Sequence, residues 1–134
     1  MMEKTSFEMF TEVFRPIKNH PEAERVLKIY NNITIQFVVK DGETFHALVK
    51  DGEIILKKGS VPDSFMVVHW VANADTYRKV ALGETSPVEA IWAGEIYCPD
   101  AYGMRQLLHW SLRLFRIAQE SKLPKVFQTT GSML

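Results

Sequence analysis

Only one cysteine, Cys98, occurs in 134 residues, so no disulfide can form within the chain, and a small secreted domain stapled by bridges is excluded. Long apolar runs are missing too: none approaches the roughly 20 residues that cross a bilayer. Charge of one sign is not in excess. Sixteen basic residues balance sixteen acidic ones, which removes any global attraction for nucleic acid, and no nucleic-acid partner is expected. The opening MMEKTSFEMF has neither the apolar centre nor the cleavage site of a signal peptide, so a soluble, cytoplasmic protein is expected. Signatures of catalysis are also lacking. His20, His46, His69 and His109 have no ligand-like spacing, and no nucleophile elbow, phosphate loop or dinucleotide fingerprint occurs. Cys98, beside Pro99, reads as a buried strand end rather than a nucleophile. The expectation is therefore a protein that is not an enzyme, with no catalytic residue, no metal and no other cofactor.

What is present is enough apolar material for one core. At 46% hydrophobic content, a chain of this length buries roughly two thirds of its unfolded surface in a single domain. Phe7, Phe10, Val13 and Phe14 recur at helical spacing behind Thr5-Ser6, and Pro16 stops that helix. A second short helix follows Pro21, with Ala23, Val26, Leu27 and Tyr30 on its apolar face. The period then becomes two-fold, with Ile33, Ile35, Phe37 and Val39 on one face of a strand and Phe45, Ala47 and Val49 on the next.

The pentapeptide VKDGE occurs twice, at Val39 and Val49, each time between strand-like runs. Its Asp-Gly pairs are turn chemistry, since glycine reaches positive φ without a steric penalty. Parity assigns the first turn three residues, Lys40-Asp41-Gly42 with Gly42 left-handed, so that Phe37 faces Phe45 and Ile35 faces Ala47. The second is expected to be a two-residue turn that places Val49 beside Ile54 and Ala47 beside Leu56. Another strand spans Phe65 to Val71, Asn73 caps a helix that Gly83 ends, and Ser86-Pro87-Val88-Glu89 is a capping box. In the helix it opens, Val88, Ile91 and Trp92 form the expected buried stripe, and Glu95 to Cys98 reads as a final strand.

The last helix, Met104 to Glu120, is apolar on most sides. Arg105, Gln106, His109, Arg113, Arg116 and Glu120 fall within a sector of roughly 100°. So wide an apolar surface fits a central helix, a homodimer contact or one wall of an apolar cavity.

The DGE hairpin, Pro62-Asp63 before a strand, and a helix running into ALGETSPVEAIWAGEIY together resemble the sterol carrier protein 2 family of lipid-transfer domains. The resemblance covers Ile33 to about Ala118. It implies an α+β fold: a five-stranded, mostly antiparallel sheet with helices packed on one face, enclosing a hydrophobic tunnel. With the periodicity read above, the chain is expected to have a helical segment over 1–32 packing on a lipid-binding region over 33–120, then a tail over 121–134, all in one domain. The implied partner is a hydrophobic small molecule or lipid: a sterol, fatty acid, acyl-CoA or phospholipid. The function expected is its binding, transfer or presentation, or else an accessory role in which the same fold holds a lipid-like intermediate for biosynthetic enzymes.

The expected apolar lining is Phe37, Phe45, Val68, Trp92, Tyr102, Leu108, Leu112 and Phe115. Arg105, His109, Arg113 and Arg116 are expected to meet a headgroup or, transiently, an anionic membrane. The chain departs from the family where Cys98-Pro99-Asp100-Ala101-Tyr102-Gly103 ends the last strand early, so sterol specificity does not carry over.

Overall fold

Turn chemistry builds the sheet. A computed structural model describes residues 4–99 and 105–121, the side chains of 105–107 excepted. Strands β1 (Thr34–Val39), β2 (Phe45–Lys50) and β3 (Glu53–Lys58) form an antiparallel meander. Its second turn has Asp51 at φ 52° and Gly52 at φ 78°, the two positive angles of a type I′ turn, and Val49 pairs with Ile54 as the parity requires. The first hairpin has the expected register, Phe37 opposite Phe45 and Ile35 opposite Ala47. Gly42 is nevertheless not left-handed. Here the chain is held by a fourth strand: Lys40 N–H bonds the Ala72 carbonyl, and the Asp41 carboxylate accepts from Ala74 N–H at 2.7 Å.

That fourth strand, β4 (Val67–Ala72), lies beside β1 and runs parallel to it, giving the order β3-β2-β1-β4. The sheet described is thus four-stranded and mixed, not the five-stranded, mostly antiparallel sheet expected. Residues 95–98 contribute a single antiparallel bridge, Tyr97 to Val71, because Pro99 removes the next backbone donor. Between β3 and β4 the chain crosses the sheet on its polar face. Gln36, His46 and His69 lie side by side there, and they hold the crossing: Gly59 carbonyl accepts from His46 Nδ1 at 2.8 Å, and Val61 N–H donates to Gln36 at 2.7 Å.

Helices cover the other face. They are α1 (Ser6–Phe14), α2 (Ala23–Ile29), α3 (Ala74–Ala81), α4 (Pro87–Trp92) and α5 (Arg105–Glu120), with a 3₁₀ turn over Arg15–Asn19 following α1. Local sequence explains the starts: Thr5 with Glu8 and Ser86 with Glu89 close reciprocal capping boxes, and Asn73 accepts from Thr76 N–H. The Glu8 carboxyl sits below its usual range because it accepts hydrogen bonds from Thr5.

Candidate ligand-binding site

Phe10 of α1 occupies the middle of the space between sheet and helices. It is fully buried, and its ring meets Phe37 at 4.9 Å, Phe115 at 5.3 Å, and Phe45 and Tyr77 at 5.5 Å, mostly edge to face. Trp70 closes the cluster against Phe37 and Phe115, donating its Nε1–H to the buried Ser111 hydroxyl at 3.0 Å. The Tyr77 hydroxyl reaches the carbonyls of Trp70 and Val38 at 2.9 and 3.1 Å, and burial pushes its pKa up. Of the expected tunnel lining, Phe37, Phe45, Val68 and Phe115 come together here with no exposed surface. The space around these four residues is occupied by rings, chiefly Phe10, Trp70 and Tyr77. Sequence reading placed Phe10 on an apolar helix face but did not find its central position.

Leu108 and Leu112 are partly buried and pack against the same core, while the remaining expected residues lie elsewhere. Of the stripe expected to be buried, Ile91 packs partly buried against the core, but Trp92 is 87% exposed and Val88 48%; Pro87 and Ala90 are the buried residues of the helix. Helix α4 has only six residues, too few for periodicity to fix its inner face. The small side chain of Ala90 also allows the chain to turn back on it, since both Glu95 and Ile96 N–H donate to the Ala90 carbonyl. Tyr102 lies outside the described residues. Arg105 begins α5, but its side chain is also outside them.

His109, Leu112, Arg113 and Arg116 converge on one feature. With Val88, Pro87, Ser86 and Gln119 they line a cleft of about 300 Å³ between the start of α4 and the polar sector of α5. Their spacing along α5 keeps them on one face. Two carboxylates lie behind this row of cations. Arg113 Nη2 is 3.5 Å from Glu22, and its Nε is buried without a hydrogen-bond partner; Arg116 Nε is 3.8 Å from Glu120. Glu120 is itself held by His20, whose Nδ1 accepts from Glu22 N–H, leaving Nε2–H to donate to Glu120 at 3.0 Å. The cleft therefore has an apolar wall on α4, with Leu112 opposite and a cationic rim on α5. Val88 and Trp92, one helical turn apart, continue the apolar wall onto the outer surface. Ser86, Pro87, Val88 and Gln119 were not foreseen as lining; the capping box marked the start of α4 but not what it would face.

No three His, Cys, Asp or Glu side chains come together as a metal site among the described residues, and none of their helices is long and apolar enough to cross a membrane.

No protein-family model matches the chain, and no curated protein matches it in sequence. Solved structures do share its fold. The UbiJ-SCP2 ubiquinone synthesis protein superposes with a TM-score of 0.58 at 14% identity, over 81% of this chain and 89% of that one. The apo form of sterol carrier protein 2 from Yarrowia lipolytica gives 0.54 at 15%, over 84% and 88%. The sterol carrier protein domain 2 of Helicoverpa armigera gives 0.52 at 21%, over 81% and 88%. The fold is thus sterol-carrier-protein-like, an α+β sheet with helices on one face.

Proposed function

We propose that this protein binds and presents, without catalysis, an amphiphile with an anionic head and an apolar chain, and that it does so at the α4–α5 cleft rather than in an enclosed tunnel. The observation that carries the reading is the joining of Arg113, Arg116 and His109 to the apolar side chains of Pro87, Val88 and Leu112 in one open cleft, with the exposed Trp92 one helical turn beyond Val88. Guanidinium groups take carboxylate or phosphate through charge-assisted hydrogen bonds, and the chain gains by leaving water along the α4 face. This favours a fatty acid, acyl-CoA or phospholipid over an uncharged sterol. At about 300 Å³ the cleft suits a headgroup better than a whole lipid. The fold supports the general class, since similar structures include sterol carriers and a ubiquinone synthesis protein.

The test is titration with dodecyl phosphate and, separately, dodecanol. Dodecyl phosphate should bind more tightly, and Arg113→Gln with Arg116→Gln should weaken it about tenfold or more while leaving dodecanol little changed. Equal binding of the two probes, insensitive to the double substitution, refutes the headgroup role.

A second reading is an accessory protein that uses the fold as an interaction platform, and the ring-filled interior favours it. Native mass spectrometry of the purified protein separates the two: co-purifying lipid supports presentation, whereas a consistently empty protein supports the platform.

A further inference from the structure

We infer that the α4 face is a self-association surface, on which a second copy of this chain seats its Trp92 in the α4–α5 cleft. Large apolar side chains are exposed together in this part of the chain: Trp92 at 87%, Leu82 at 60% and Val88 at 48%. A nearly naked indole is the kind of anchor that dominates protein interfaces when a pocket receives it. Its border is acidic. Residues 80–99 contain no Lys or Arg but three exposed glutamates: Glu95, Glu89, which caps α4, and Glu84, which lies 3.6 Å from Arg78. Across the cleft, α5 presents the opposite character, with His109, Arg113 and Arg116 around the half-buried Leu112.

One chain therefore carries both halves of a complementary contact, next to each other. A two-fold arrangement sets each acidic border against the other copy's α5 row, and each copy then supplies a residue that closes its partner's cleft. An anionic bilayer would be repelled by the glutamates around Trp92, whereas a second copy brings the matching cations. The contact stands independently of the ligand reading, but the two share a cleft, so an amphiphile and a second copy compete for it.

Sedimentation equilibrium from micromolar to millimolar protein tests the inference. The wild-type chain should associate, and Trp92→Ala should weaken association about thirtyfold, the effect of one interface anchor. Two charge variants sharpen the test. His109→Glu with Arg116→Glu should be monomeric, as should Glu84→Arg with Glu95→Arg, while an equimolar mixture of the two should form the dimer again. Glu89 is spared because its carboxylate caps α4, and Arg113 because its Nε is buried; the ion pairs of Arg116 with Glu120 and of Glu84 with Arg78 are more exposed.

A wild-type monomer up to millimolar concentration overturns the proposal, as does association indifferent to Trp92→Ala or a mixture no more associated than its components. A monomer that binds anionic phosphatidylserine vesicles through Trp92 assigns the face to a membrane and overturns it as well. Dodecyl phosphate binding measured on the Glu84→Arg with Glu95→Arg variant, which leaves Trp92 and every residue lining the cleft in place, reports on the cleft separately, so failure of one reading is distinguishable from failure of the other.

Discussion

Replacing Phe10 by alanine asks directly whether the interior is filled. Phe10 has no exposed surface and touches four other rings, so truncation removes the transfer free energy of a whole benzyl group, about 2–3 kcal/mol, together with the edge-to-face contacts. Partial collapse of the site recovers some of this, and measured losses for such changes run about 3–5 kcal/mol. For a domain of this size that corresponds to a fall of roughly 10–20 °C in Tm. Urea unfolding of wild type and Phe10→Ala would give the free-energy difference, with an unchanged m-value as the check that both transitions are two-state. The hole left among Phe37, Phe45, Tyr77 and Phe115 should also admit a small apolar probe such as benzene, raising the variant's Tm but not that of wild type. A loss below about 1.5 kcal/mol, or wild type stabilised by benzene as strongly as the variant, would refute the argument, because either result means that open space already surrounds the ring.

Trp92→Ala should change monomer stability by less than about 0.5 kcal/mol in urea, since its ring is 87% exposed, and a loss typical of core residues would restore the buried-stripe reading of α4. Burial raises the Tyr77 pKa above its ordinary value of about 10, so the neutral phenol is favoured in the fold. The stability linked to it is fully present below pH ~10 and is lost as pH rises further, and titration at 295 nm should show Tyr77 ionising only with unfolding; early ionisation in the native state that is absent from Tyr77→Phe would contradict this. Gly52→Ala, at φ 78° with open space around the new methyl, should cost about 1 kcal/mol from backbone strain alone, and a neutral result would argue against the type I′ turn. His20→Ala removes a buried ring that bonds both Glu22 N–H and Glu120, and a loss of about 2–4 kcal/mol is expected by urea unfolding.

What the sequence revealed was local. Asp51-Gly52 sets its turn through the angles of two residues, and parity found the Phe37–Phe45 pairing because side chains alternate strictly along a strand. The capping boxes at Thr5 and Ser86 work within four residues, so they too were readable. Hidden from the sequence were choices made between distant segments. The parallel pairing of β1 with β4 links Thr34 to Val67, and it pulled Lys40 and Asp41 away from the turn that glycine statistics favour. Residues 95–98 had strand character, but among the described residues only Tyr97 forms a bridge to a strand. The polar sector of α5 was visible from its period, whereas its apposition to α4 across a cleft depended on which side of a six-residue helix turned inward.

Under the proposed amphiphile reading, the ring cluster and the open cleft imply different modes of binding, and magnitudes separate them. To admit a chain between sheet and helices, α1 would have to withdraw Phe10 and Phe14, each almost wholly buried, at about 2–3 kcal/mol per ring before the ring contacts and the backbone of α1 are counted. A chain of about ten methylenes gains about 8 kcal/mol when fully buried, so most of the gain is offset by the rings it displaces. The same chain laid along Val88 and Trp92 leaves water over only part of its surface, but it moves nothing, and its head meets Arg113 and Arg116 where they already stand. On these magnitudes the proposed presentation at the cleft is favoured unless α1 finds another apolar partner when it leaves. In that case binding would open the fold, and amide exchange in α1 would accelerate on adding dodecyl phosphate, whereas presentation at the cleft slows exchange in α4 and leaves α1 unchanged.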